Sequence, residues 1–172
     1  MFDSSFPFTY CHFRKNKSKS NLHLEEHVFK FFVKTTKGKT KFIVNIKTYP
    51  NQLLIINYYP KLKSENRFRI LLNLFKQGQI GGTLLKILEQ ALTITGYNTF
   101  SILGAENINE RTTIKGSKRF RVYKQALSRT IDDTKYKIFE DSNNSIIFVI
   151  PVTRIGQKDQ KILDYGEIYQ NS

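Results

Sequence analysis

Acidic residues are scarce in this chain. Asp and Glu together number 14 against 28 Lys and Arg, leaving a formal charge of +14 at pH 7. Such a surface repels cationic partners and suits nucleic acid, a phosphorylated cofactor or an anionic membrane surface. The plainer alternative is a charge that serves solubility. Cysteine is nearly absent, and Cys11 alone excludes an internal disulfide and a cysteine-based zinc site. Histidine is limited to His12, His23 and His27. His23 and His27 are spaced to share a helical face, but Glu25 and Glu26 between them do not complete a metalloprotease motif, so no metal is expected. No apolar run approaches the length of a membrane span. The stretch Phe2–Tyr10 carries Asp3, two serines and Pro7 and lacks a basic leader, so it does not read as a signal peptide. These absences lead to the expectation of a cytoplasmic protein with no membrane partner.

What is present suits one folded domain. The chain has 172 residues, a 40% hydrophobic fraction, 14 Phe and 9 Tyr, enough for a real core. Residues 1–21 read as a basic and aromatic arm, either mobile or docked through Phe2, Phe6, Phe8 and Tyr10. Residues 22–155 read as a single domain and 156–172 as a polar tail. From Val28 the pattern is strand-like, with Phe29, Phe31 and Val33 on alternate positions. Lys37-Gly38-Lys39 marks a hairpin turn and Lys41–Lys47 the returning strand. After a turn at Tyr49–Gln52, Leu53–Tyr59 reads as a central strand that Pro60 ends. Gly78–Gly82 reads as a glycine-rich loop. Thr83 then caps a helix carrying Leu84, Leu85, Leu88, Ala91 and Leu92, with Gly96 at its C-terminal stop. Thr99–Leu103 is the next strand, Ser117–Ser128 a second helix, and Tyr136–Phe139 with Ser145–Val152 a closing hairpin. The order implies an α/β fold, a single-domain mixed β-sheet with helices on one or both faces. Another α+β sandwich is the alternative.

The second helix begins oddly. Ser117 is a credible N-cap, yet Lys118, Arg119 and Arg121 follow at once, where the helix dipole already supplies positive charge. From Arg111 to Arg129 there are seven basic residues and no acidic one. Either these are solvated cations or an external anion sits among them. Lys118 and Arg121 lie one turn apart and can share that anion.

Two resemblances follow from these residues. Ile102-Leu103-Gly104-Ala105-Glu106, followed by Ser117-Lys118-Arg119-Phe120-Arg121-Val122-Tyr123, resembles an uncharacterised bacterial family. That family pairs Gly-Ala-Asn with Thr-Lys-Arg-Phe-Arg-x-Tyr; here Glu106 and Ser117 depart from the pattern. The order of elements from Leu53 to Val152 also resembles the second half of the GNAT N-acetyltransferase fold. There a strand leads to a phosphate-cradling loop and long helix, then a further strand, a helix bearing a tyrosine, and a hairpin. The GNAT resemblance implies acetyl-CoA bound at Gly78, Gln79, Gly81, Gly82 and Thr83, although Ile80 or Gln79 stands where the family has its first glycine. It implies Tyr123 as general acid, and Glu106 is the best-placed base, or else a plain loop acid.

The residues therefore support three expectations. One is a GNAT-like protein that binds a phosphate-bearing ligand, acting as an acyl-CoA N-acyltransferase if catalytic. A second is a non-catalytic binder of RNA or DNA that uses Arg67, Arg69, Lys118, Arg119 and Arg121, with interleaved aromatics such as Phe68 and Tyr58 stacking on bases. The third is an interaction module whose arm docks on a partner or a second copy, giving a homodimer.

Overall fold

The computed structural model describes residues 4–18, 22–35, 38–63, 77–104 and 117–157. Seven strands and two α-helices follow in the order β1 (Phe8–Lys15), β2 (Glu25–Thr35), β3 (Gly38–Tyr49), β4 (Leu53–Pro60), α1 (Gln77–Thr95), β5 (Thr99–Leu103), α2 (Lys118–Thr130), β6 (Tyr136–Asp141) and β7 (Ile146–Pro151). A short 3-10 turn, Pro50–Gln52, links β3 to β4, and another, Val152–Gln157, follows β7. The strands form one mixed sheet in the order β1-β2-β3-β4-β5-β7-β6. All neighbours are antiparallel except β4 and β5. That parallel pair requires a crossover, and α1 supplies it.

Strand register places alternate residues on two faces. One face carries Phe29, Phe31 and Val33 of β2, Val44 and Ile46 of β3, and Leu54 and Ile56 of β4, continuing through Phe100, Ile147 and Val149. Both helices pack here, α1 through Ile87, Leu88 and Ala91 and α2 through Phe120 and Leu127. The opposite face has a smaller core of Tyr49, Leu53, Ile55, Ile146, Phe148 and Ile150. This second core lies on the β4–β7 side, with Tyr49 at the end of β3 as its margin. Accordingly β7 is buried at all six positions, whereas β3 alternates from Phe42 to Thr48.

The segment read as an arm contributes β1, an edge strand paired with β2 through a bulge between Tyr10 and His12. Phe6 stacks on Phe31, and Tyr10 meets both Phe29 and His27. Its aromatics complete the core that β2 begins. His23 and His27 do not share a helix. His27 is a buried strand residue whose Nδ1 lies 3.1 Å from the Tyr10 hydroxyl.

The glycine-rich stretch is a second correction. Gly78–Gly82 is helical, and α1 is already formed at Gln77, so Thr83 is not its cap. Each glycine costs about 1 kcal/mol in a helix relative to alanine. Packing of Ile80, Leu84 and Leu85 against the sheet offsets that cost and carries the apolar stripe back beyond the glycines. Thr83 is fully buried, with its hydroxyl donating to the Gln79 carbonyl at 2.7 Å and accepting the Phe6 amide at 2.8 Å. The helix ends as its sequence indicates: Gly96 adopts φ +68°, and its amide donates to the Leu92 carbonyl at 2.9 Å. Among the described residues no helix is long and apolar enough to cross a membrane.

Candidate functional site

In open α/β sheets, ligands favour the carboxyl ends of parallel strands where the strand order changes direction. Here the order runs on without reversing from β4 to β5, but these two are the one parallel pair among the described strands, and their carboxyl ends part beyond Ile56 and Ile102. Their ladder runs from Leu53–Thr99 to Ile56–Ile102. Beyond it, β4 continues four residues alongside β3, while β5 reaches only Leu103 before Gly104 leaves the sheet. From Asn57 onward, β3 is the only described strand beside β4.

Gly104 is where α2 is fixed. Its amide donates to the Ser145 carbonyl at 2.8 Å, and its carbonyl accepts the Ser117 hydroxyl. Ser117 in turn donates its amide to the Ser145 hydroxyl at 3.0 Å and accepts the Phe120 amide at 3.1 Å, which caps α2. Ser117 and Ser145 are buried, so this polar knot replaces the water they would otherwise bind. A Cβ on Gly104 would lie 2.5 Å from the Phe120 amide nitrogen. Only glycine lets the first turn of α2 approach the end of β5 this closely.

So anchored, α2 carries Tyr123 to β4. The Tyr123 hydroxyl donates to that of Tyr58 at 2.8 Å, and the two rings meet edge to face at 6.3 Å. Tyr58 is the second residue of β4 past the end of its ladder with β5, so the pair stands where the parallel strands part. Burial drives the Tyr123 hydroxyl well above the usual tyrosine value of 10, the neighbouring Tyr58 adds to the rise, and the charge of Arg119 opposes it weakly. Tyr123 is therefore a hydrogen-bond donor, and not a base, at physiological pH.

The remaining candidates divide. Gly78, Gln79 and Gly81 are half-buried in the first described turns of α1, while Gly82 and Thr83 are buried. Arg119 is half-buried and Arg121 exposed on α2. Lys118 begins that helix. Glu106, Arg67 and Arg69 lie outside the described residues. Among the described residues, no three His, Cys, Asp or Glu side chains gather as metal ligands.

Sequence reasoning named Tyr123 but did not pair it with Tyr58. The faces of both were legible: Tyr58 follows Leu54 and Ile56 at strand spacing, and Tyr123 follows Phe120 by one helical turn. The packing of α2 across the end of β5 toward β4 was not. Ser145 gave no signal, since a serine in a turn is unremarkable until its neighbours are known. No family model, curated protein or solved structure matches the chain.

Proposed function

We propose that this chain is a GNAT-like N-acyltransferase that takes its acyl group from a CoA thioester. The observation that carries the reading is the Tyr123 hydroxyl, held by Tyr58 at the end of the parallel β4/β5 pair. The element order β4-α1-β5-α2-β6-β7 supports it, as strand, long helix, strand, tyrosine-bearing helix and hairpin. The end of the β4/β5 ladder offers an extended ligand arm a place beside β4, and Gly78, Gln79, Gly81, Gly82 and Thr83 of α1 are the residues proposed to meet the phosphates.

In the proposed reaction the acceptor amine attacks the thioester carbonyl carbon. A C–N bond forms, the C–S bond breaks, and the electron pair leaves on sulfur. Tyr123 turns its hydroxyl from Tyr58 to the departing sulfur and gives up its proton there, so that the thiol leaves neutral, and the phenolate regains a proton from water. The amine's proton goes to a general base, the role assigned to Glu106. The Gly104–Ser117–Ser145 knot positions Tyr123 by fixing the start of its helix. A basic surface suits a nucleic-acid-linked acceptor.

Thermal unfolding with acetyl-CoA tests the binding, because a ligand of the folded state raises the midpoint by mass action. The expected result is a rise with acetyl-CoA. Thiol release with an amine acceptor panel is then expected to fall about 100-fold or more in Tyr123→Phe, with the acetyl-CoA shift retained. No midpoint shift at millimolar acetyl-CoA would remove the reading.

A further inference from the structure

The face of the sheet opposite the helices is basic in its β1–β3 half. Register places Arg14 of β1, Lys30 and Lys34 of β2, and Lys39, Lys41 and Lys47 of β3 on that face. Glu26 is the one acid on this face among the described residues of those three strands. Lys34 and Lys39 are exposed and directly opposite one another, an arrangement that opposes strand pairing. In the next row of the same face Phe32 stands directly opposite Lys41, a large hydrophobic side chain 38% exposed, with the Lys39 ammonium 4.1 Å from its ring centre. Tyr59 of β4 lies on the same face, its Cα opposite Ile43.

We infer that this open face binds single-stranded nucleic acid. Cations on adjacent strands stand about 5 Å apart laterally and about 7 Å apart along a strand, a close array for a phosphate backbone. The exposed Phe32 ring offers a stacking platform for an unpaired base. A duplex presents no free base face to such a ring, so the strand is single. An anionic bilayer is the poorer fit, because membrane-surface binding needs a broad apolar area and, among the described residues of β1–β3, this face exposes one large apolar ring. The surface lies across the sheet from α2, is distinct from the acyl-transfer site and does not depend on that reading.

The test is fluorescence anisotropy of a labelled 12-nucleotide mixed-sequence RNA with the full chain at 50 and 200 mM salt. If four phosphates are contacted, affinity falls about 50-fold between the two conditions. The triple variant Lys34→Glu/Lys39→Glu/Lys41→Glu is expected to weaken binding about 100-fold, and Phe32→Ala about tenfold with little change in salt slope. A matched triple on the helices, Lys86→Glu/Lys124→Glu/Arg129→Glu, makes the same change in net charge and is expected to cost less than about fivefold, a residual effect of the overall field. Circular dichroism checks that each variant is folded. Equal losses from the two triples would show attraction to net charge alone and overturn the inference. So would absence of RNA binding, whether or not phosphatidylserine vesicles bind through the same lysines.

Discussion

Strands β3 and β7 lie in one sheet yet carry different patterns. From Phe42 to Thr48, β3 buries every second residue, whereas Ile146–Pro151 of β7 is buried throughout. The same contrast separates β2, which alternates from His27 to Lys34, from Leu53–Ile56 of β4. In the β4–β7 half, Leu53–Ile56 and all of β7 are thus excluded from water on both faces, although the edge strand β6 exposes Lys137 and Glu140; β2 and β3 are excluded on one. The half closed on both sides holds the candidate active site. The half with a wet face holds the lysine array. Burial on two sides supplies rigidity for placing Tyr123, while a wet face leaves residues such as Lys34 and Phe32 unused by the core.

The contrast can be broken most forcefully by placing like changes on its two sides. Ile150→Asp sets a carboxylate at a fully buried position of the second core, and should cost about 4 kcal/mol or more in urea unfolding. Lys34→Glu, on the same face of the other half, should change stability by about 0.5 kcal/mol at most, and in the stabilising direction, because it faces Lys39. Comparable costs at the two positions would abolish the distinction.

Next in size is Gly104→Ala. The added methyl meets the backbone of α2, so a loss of about 2–3 kcal/mol is expected, together with a weakened Tyr123–Tyr58 contact visible in the near-ultraviolet circular dichroism of the tyrosines. Wild-type stability in this variant would show that α2 is not held against β5. Ser117→Ala removes the cap of α2 and the hydroxyl that satisfies Gly104, and should cost about 1–2 kcal/mol by the same measurement.

The smallest effect sharpens the role of Tyr123. Its folded-state hydroxyl titrates above the ordinary tyrosine value, so above pH 10 the unfolded chain holds fewer protons than the folded one. Its contribution is fully present below about pH 10 and is lost as pH rises from there through the higher folded value. Tyr123→Phe should therefore flatten the fall in stability above pH 10 in urea titrations, and leave the slope between pH 6 and 9 unchanged. A slope identical to wild type above pH 10 would show the hydroxyl to be in water.

Much of the fold was legible because local chemistry agreed with the final packing. Alternation through Phe29, Phe31 and Val33 and the run Leu53–Tyr59 each mark a strand that forms, whereas Gly38 and Lys39, expected in the hairpin turn, already pair with Thr35 and Lys34 as the start of β3. Gly96 and Ser117 end and begin helices for backbone reasons that no distant contact overrides. Gly78–Gly82 misled because glycine's local preference for a loop is weak beside the burial of Ile80 and Leu84. Phe8–Lys15 read as an arm because a basic edge strand has few neighbours in sequence to betray its pairing.

The candidate sites follow the same division. The residue types, the positive charge and the faces of Tyr58, Tyr123, Phe32 and the lysines are properties of strand and helix periodicity, and the sequence determines them. That Tyr123 meets Tyr58, that Gly104 and Ser145 hold the start of α2, and that Arg14 joins the lysines of β2 and β3 were decided by tertiary structure alone. Each joins residues from separate elements, and such a meeting depends on how the sheet orders its strands. Spacing along the chain does not carry that order.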